Sequence, residues 1–491
     1  MKKTETGLLF FVICSIISYC IFLQFISPAF YESDSYYHVF VTRLIKDYGF
    51  HYQFPWAQFS TLKDFYADKD FLFHFISVPF LYLNSDIVTA GKYAVIFYDI
   101  VFILVYVFIL RKYLSNYLAG YFLLLPFLSV TFTTYILDLR SFTLANILTI
   151  LGIYFLIEKK PVRVFIICLL YALSHTSFIT IVAFALICEA IRYIFHKEVF
   201  FKNIYIPVMG ILFGCLIHPN FPNNFLYTHL CFLVEGYIKK GINLGFGEEL
   251  FSFSTARVFI ENFALFFSLN VIFWMAVYSR VKINFATAVW AACANFYIIF
   301  AFQSDRHWYP ANILFFIFFA AYLKDWLAHK EKKAVSLKIN IFIILYLLIA
   351  AAFLPAGLKN LKATIEYHTR VGAHYKKVGL WMKGHIPPAE TVYHNNWNES
   401  AYFICFNPAN NYIVVLDPMY MFYRYPGRYL FYRDLSLGKN AEPYKALKNV
   451  FKVKYGYTRK NNSFYLRLHN APDEFKILYE DDLGVVFKLE P

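Results

Sequence analysis

Long apolar runs separated by short charged stretches fill residues 1–357, whereas 358–491 breaks into short apolar segments among prolines, asparagines and charges. The run at about 8–28 follows Lys2 and Lys3. It reaches the roughly 20 residues that a bilayer requires, and the two lysines hold its N-terminus inside. No small-residue cleavage site follows, so the run reads as a retained signal anchor. Further runs lie at about 91–110, 117–137, 142–157, 162–174, 177–195, 204–218, 256–278, 283–302, 310–326 and 339–357, which makes about eleven spans. The run Phe71 to Leu83 is short and contains Pro79. It is expected to be interfacial or re-entrant. That choice puts Arg111-Lys112, Glu158 to Arg163, His196-Lys197, Arg280-Val281-Lys282 and Lys324 to Lys338 on the inner side, as the excess of basic residues in cytoplasmic loops requires. The expected fold is a polytopic α-helical membrane protein (residues 1–357) with a C-terminal soluble α/β domain on the exterior (358–491).

Between the spans, an exterior segment covers about 29–90. In it, Tyr37, Val41, Leu44, Ile45 and Tyr48 fall on one helical face and His38, Thr42, Arg43 and Lys46 on another. Asp34 is the expected N-cap and Gly49 the stop. This amphipathic helix is expected to lie along the membrane surface. A long exterior loop is expected over about 219–255, with a Gly-rich turn at Gly241 to Gly247 followed by Glu248-Glu249. In the C-terminal domain, Thr391 to Tyr393 and Tyr412 to Leu416 read as strands, Glu399 to Phe406 as a helix, and Phe475 to Tyr479 with Val485 to Leu489 as a hairpin.

Composition agrees with the pattern. The chain is 59% hydrophobic and only 16% charged, too apolar for a soluble protein. The net charge of +14 is that of inner loops facing anionic lipid and does not point to nucleic acid. The eight cysteines show no CxxC or Cys/His metal spacing, and those in apolar spans read as packing residues.

The candidate chemistry lies in the exterior segments. Glu32 and Asp34, i and i+2 after the first span, offer hard oxygen ligands to a divalent cation such as Mg²⁺ or Mn²⁺. His38 follows Asp34 by four residues and can share its face. The bland alternative for the pair is a helix cap with an interfacial charge. Asp68-Lys69-Asp70 is either a solvated loop or a second polar site. Arg306 and His307, beside Trp308 and Tyr309, are either part of an interfacial belt or a phosphate clamp, since arginine grips phosphate oxygens in pairs. His175 reads as part of a polar break, and Arg257 as a snorkelling side chain within reach of a phosphate.

Asp34-Ser35-Tyr36-Tyr37-His38, with Arg43 and Gly49 downstream, resembles the first exterior loop of oligosaccharyltransferase catalytic subunits. An acidic pair after the first span resembles, more widely, the GT-C superfamily of membrane glycosyltransferases. That resemblance implies an inverting transfer of a sugar or oligosaccharide from a polyprenyl phosphate or pyrophosphate donor to a protein, glycan or lipid acceptor on the outer side of the membrane. It implies Asp34 and Asp138 as metal ligands and a basic residue of a late exterior loop, here Arg306, at the donor phosphate; the residues themselves add Glu32 beside Asp34 as the catalytic carboxylates, and His307 and Arg140 as further phosphate contacts. Asp138-Leu139-Arg140 departs from the family's acidic pair, because Arg140 replaces the second carboxylate. The soluble-domain signature W-W-D-x-G is absent, and its nearest echo is Asn395 to Ser400. The alternatives are a flippase for lipid-linked sugars and a non-catalytic assembly subunit of the same architecture.

Overall fold

The computed structural model describes residues 2–491 apart from 243, 280, 330 and 331, and excludes the side chains of 2, 3, 332–354, 356 and 357. The chain forms two compact units. One comprises Met1–Ser27, Lys92–Leu216 and Glu248–Glu366; the other comprises Pro28–Gly91, Ile217–Gly247 and Tyr367–Pro491. The boundary expected at 357/358 falls inside the single helix Lys332–His385.

The first unit is a set of apolar helices. Thr4–Phe25, Ile87–Leu110, Thr176–His196 and Asp305–Ala328 are each long and apolar enough to cross a membrane. The runs expected as straight spans at 117–137 and 256–278 are instead bent pairs. Asn116–Leu128 meets Val130–Ile136 at 90°, and Thr255–Glu261 meets Phe263–Ser279 at 81°. Polar residues at the breaks account for the bends. Ser129 Oγ accepts from Phe132 N at 3.2 Å, capping the second half of its pair. The same hydroxyl donates to Asn262 Oδ1 at 3.1 Å, and Asn312 Nδ2 donates to that oxygen at 2.8 Å. The two breaks therefore share one buried polar knot, and in a medium without water such freed groups must find partners inside the protein.

The expected runs at 142–157, 162–174, 204–218 and 283–302 are the shorter apolar helices Phe142–Ile157, Pro161–Ala172, Lys202–Leu216 and Phe285–Ala301. The expected run 339–357 is helical, but nearly all its side chains lie outside the described residues, as do Arg280, Lys330 and Glu331 of the expected inner loops. Gly210 and Gly214, one turn apart, let Lys202–Leu216 approach Pro161–Ala172. A Cβ at either would come within 2.7 Å of a backbone oxygen, that of Phe165 or Leu169.

The second unit is built on a five-stranded sheet: β1 (Thr391–His394), β2 (Asn411–Tyr412), β3 (Tyr455–Arg459), β4 (Phe475–Glu480) and β5 (Gly484–Leu489), in the order β2-β1-β3-β5-β4. β1 is parallel to β2 and to β3, and β5 is antiparallel to β3 and β4. The expected strand Tyr412 to Leu416 is cut to two residues. The helix Glu399–Phe406 lies as expected.

A stretch of residues 29–90 completes this sheet. Tyr412 N donates to Trp56 O at 2.7 Å, Gln58 N to Tyr412 O at 2.9 Å and Phe59 N to Ile413 O at 3.0 Å, so residues 56–59 run along the β2 edge. The helix Asp34–Tyr48 is buried on more than one face. His38 and Thr42, expected on the face away from Tyr37, Val41 and Leu44, are 4% and 1% exposed. The burying surface comes from the distant C-terminal segment, which no local periodicity reveals: Tyr36 packs on Tyr402 and Phe406. The expected loop over 219–255 contains the helix Asn223–Lys239, whose Tyr227 and Tyr237 meet Tyr420 and Phe422.

Candidate functional site

In the second unit, the chain leaves the first helix and turns at Glu32. Its Oε2 accepts from Asp34 N at 2.7 Å and its Oε1 from Ser33 Oγ at 3.0 Å. The N-cap position belongs to Ser33, and Glu32 supplies the capping carboxylate that was expected from Asp34. Asp34 becomes the first residue of the helix, where the positive end of the helix dipole favours its charge. Gly49 ends the helix with φ 79°, as expected.

His38, one turn on, meets a group that lies far from it in the chain. His38 Nδ1 is 2.8 Å from His74 Nε2, and His74 Nδ1 is 2.9 and 2.7 Å from the two oxygens of Asp68. All three side chains are buried. Asp68 is fixed in turn: Asp70 N donates to its Oδ1 at 3.1 Å, its own N donates to Asn220 Oδ1 at 3.0 Å, and its carbonyl lies 3.1 Å from His218 Nε2. Burial pushes the His218 imidazole down, against the pull of Asp68. Lys69 lies 3.2 Å from the Asp70 carboxylate. The polar triplet 68–70 is therefore buried and hydrogen-bonded rather than a solvated loop. His74 was not among the residues expected at a site; its only local signal is that it lies six residues after Asp68.

Further along this unit, Asn396 N donates to Glu399 Oε2 at 3.2 Å, Tyr375 Oη donates to Glu399 Oε1 at 2.9 Å, and Arg459 Nε lies 3.2 Å from that oxygen. Burial raises the Glu399 carboxyl, and Arg459 opposes that rise. Glu399 thus ties the long helix, the Glu399–Phe406 helix and β3 together. Trp397 Nε1 donates to Gly245 O at 2.8 Å.

The first unit carries the other expected residues. The guanidinium of Arg140 forms a two-point contact with Glu249, at 2.9 and 3.1 Å. Glu249 O accepts from Ser304 Oγ at 3.0 Å, and Phe251 O accepts from Asp305 N at 3.2 Å. The 138–140 turn, the 248–251 turn and the turn bearing Asp305, Arg306 and His307 thus form one cluster. Asp138 is buried in its turn, where its carbonyl accepts from Arg140 N at 2.8 Å. Glu249, read in the sequence only as a loop charge, is the residue that links them. Arg257 is exposed and pairs with Glu261 at 2.7 Å, and Glu261 accepts from Thr131 at 3.1 Å. His175 Nδ1 accepts from Ser177 N at 3.0 Å and so caps a short turn, as its polar-break reading implies.

Among the described residues, no group of three or more His, Cys, Asp or Glu side chains is placed to hold a metal ion. Glu32 uses both oxygens in its own turn. Those described residues therefore form no complete cation site.

The sequence matches no protein-family model and no curated protein. Solved structures do resemble this one. ArnT from Cupriavidus metallidurans bound to undecaprenyl phosphate superposes with a TM-score of 0.60 over 97% of both chains, at 11% identity. The Archaeoglobus fulgidus oligosaccharyltransferase in complex with Zn and sulfate gives 0.59, covering 97% of this chain and 73% of its own, at 12% identity. AglB from the same organism, with an inhibitory peptide and a dolichol-phosphate, gives 0.57 over 93% and 69%, at 11% identity. This chain shares their fold: a set of apolar helices, several of them long and apolar enough to cross a membrane, with a small C-terminal sheet.

Proposed function

We propose that this protein is a membrane glycosyltransferase that moves a sugar or oligosaccharide from a polyprenyl phosphate or pyrophosphate to an acceptor on the outer side of the membrane, with its N-terminus inside. One observation carries the reading. The GT-C fold extends over nearly the whole chain, and Asp34 sits at the first turn of the helix that follows the first span. The similar proteins were solved with dolichol-phosphate, undecaprenyl phosphate and an inhibitory peptide, which supports a lipid-linked donor and a separate acceptor.

In the proposed reaction a nucleophilic N–H or O–H of the acceptor attacks the anomeric carbon. The new bond forms as the carbon–oxygen bond to phosphate breaks, with inversion. Asp34 draws the proton, with Glu32 holding its backbone. Arg306 meets the charge that grows on the leaving phosphate, with His307 beside it. Arg140 acts with them only by exchanging Glu249 for phosphate. A divalent cation, when bound, would neutralise charge on the departing phosphate. The zinc-containing similar structure supports it.

Transfer from a polyprenyl-phospho-sugar is the test. Asp34→Asn and Arg306→Ala should each lower kcat about 100-fold or more, and chelation followed by Mg²⁺ or Mn²⁺ should abolish and restore activity. Unchanged rates in both variants would remove the mechanism, and activity that survives chelation would remove the cation.

A second reading, a carrier of lipid-linked sugars, is favoured by one residue. Asp99 is buried within Ile87–Leu110, and among the described residues neither of its oxygens has a hydrogen-bond partner. An intramembrane acid is a hallmark of transport paths. Flux in vesicles without sugar transfer would select this reading.

A further inference from the structure

The second unit carries a cluster of arginines and aromatic rings that the proposed reaction does not use. It forms at a break between two helices. Pro426 cannot extend the helix Pro418–Arg424 and instead starts the helix Pro426–Ser436. Arg424 therefore ends one helix and Arg428 lies in the first turn of the next, with Tyr425 between them. The guanidinium carbons of Arg424 and Arg428 each lie 5.2 Å from the centre of the Tyr425 ring. They are thus no more than twice that distance apart. Arg428 also lies 5.3 Å from the centre of the Phe59 ring, and Arg424 5.9 Å from that of Phe65. The segment bearing these two rings is fixed: Phe59 N donates to Ile413 O at 3.0 Å, and Thr61 Oγ1 donates to Tyr420 O at 2.9 Å.

The two arginines differ in what they hold. Arg424 pairs with Asp64 and reaches Ser60 O at 3.5 Å. Arg428 is exposed, and among the described residues its guanidinium has neither an ion pair nor a hydrogen bond. An aromatic face attracts a cation through the negative charge of the ring and takes none of the guanidinium N–H donors. Arg428 is thus a positioned charge whose donors face solvent. Lys63, whose Nζ donates to Gln58 Oε1 at 2.9 Å, adds a third cation beside the carboxylate of Asp64. Phe65, Tyr423 and Phe431 are exposed.

We propose that this cluster is a docking site for an acidic polypeptide segment, whose carboxylates on alternate residues of an extended chain are gripped by Arg428 and Arg424. The inference goes beyond the transfer reaction and uses none of its residues. Alternate side chains of an extended chain point to one side, about 7 Å apart, within the limit that the Tyr425 ring sets on the two guanidinium groups. Arginine meets a carboxylate through two parallel N–H bonds. Tyrosine, phenylalanine and arginine, with few lysines, are what the core of a protein interface uses. An anionic lipid surface attracts basic residues through a diffuse field and needs no fixed place for each charge. Here two rings set the place of each guanidinium.

The test is the binding of two labelled peptides to the full chain in neutral-lipid nanodiscs, read by fluorescence anisotropy. One peptide alternates glutamate with threonine, the other glutamine with threonine. Only the glutamate peptide should bind. Arg428→Gln should weaken it about 10-fold or more, the effect of losing a charged hydrogen-bonded pair. Arg428→Lys should recover part of that loss, since an ammonium keeps the charge without the fork. Asp64→Asn acts in the opposite sense. It removes the internal competitor for Arg424 and should tighten binding about two- to fivefold. Equal binding of the two peptides, no binding by the wild type, or an Arg428→Gln protein that binds as the wild type does would each overturn the proposal. Phosphatidylserine vesicles that capture the wild-type discs but not those of Arg428→Gln, with no peptide bound, would overturn it in favour of a lipid headgroup.

Discussion

Single residues in the second unit respond to pH in ways their environment fixes. His394 on β1 is fully buried. Its Nδ1 donates to Asn396 O at 2.8 Å, and burial lowers its pKa from 6.5 to about 4. Between those values the unfolded chain binds a proton that the folded chain refuses, so stability rises with pH there and is lost as pH falls from about 6.5 toward 4. At about 1.4 kcal/mol per unit, the upper bound is on the order of 3 kcal/mol. His368, lowered to about 4 by burial and then by Arg459, acts with the same sign, while the raised Glu399 opposes it. The thermal midpoint in detergent should fall across this window, and His394→Asn should flatten the fall; an equal slope in the variant would refute the assignment. The sequence made Asp34 and Glu32 visible because two carboxylates at the end of a span break an expected pattern. It did not make His74 or Glu249 visible, because each acquires its role only from a partner that folding brings near, 36 residues away for His74 and 109 for Glu249.

Whole elements follow simple rules where their environment is local. The Glu399–Phe406 helix and the β4–β5 hairpin were legible in full because period and turn chemistry determine them. β3 was not, although it lies at the centre of the sheet: Tyr455 to Arg459 alternates weakly and contains a glycine. Gly456 is required there, since a Cβ would meet the Phe487 ring at 2.3 Å. The bent pairs were read as straight spans because hydropathy counts apolar residues and is blind to where Ser129 and Asn262 interrupt them. Helix contact in the first unit gives a prediction at this scale. Gly210→Val or Gly214→Val forces side-chain atoms onto the backbone of Pro161–Ala172 and should lower stability by about 1–3 kcal/mol each. Denaturation in mixed micelles measures it, and variants as stable as the parent would show that the two helices part at no cost.

At the level of the molecule, the division into units predicts how the chain tolerates being cut. A boundary at 357/358 treats everything after it as a separate domain that can be removed from a working membrane part. The second unit instead draws on three stretches of chain. Residues 56–59 bond along β2 through backbone groups, Thr61 Oγ1 donates to Tyr420 O at 2.9 Å, and Trp56 Nε1 donates to Pro408 O at 2.9 Å. The helix that begins at Asp34 is covered by Tyr402 and Phe406, and Gly372 passes so close that a Cβ would come within 2.7 Å of Ala29 Cβ. Ending the chain at 357 would therefore expose a sheet edge without its sheet and strip the apolar cover from the helix bearing Asp34 and His38. Unpaired edges and bare aromatic faces aggregate. The truncated protein should elute as aggregate on size-exclusion chromatography in a detergent that keeps the full chain monodisperse, and its residues 29–90 should be cleaved by protease where the full chain resists. A monodisperse, protease-resistant 1–357 would mean that residues 29–90 fold on the apolar helices alone, and that the Asp68–His74–His38 arrangement forms without any help from the C-terminal sheet.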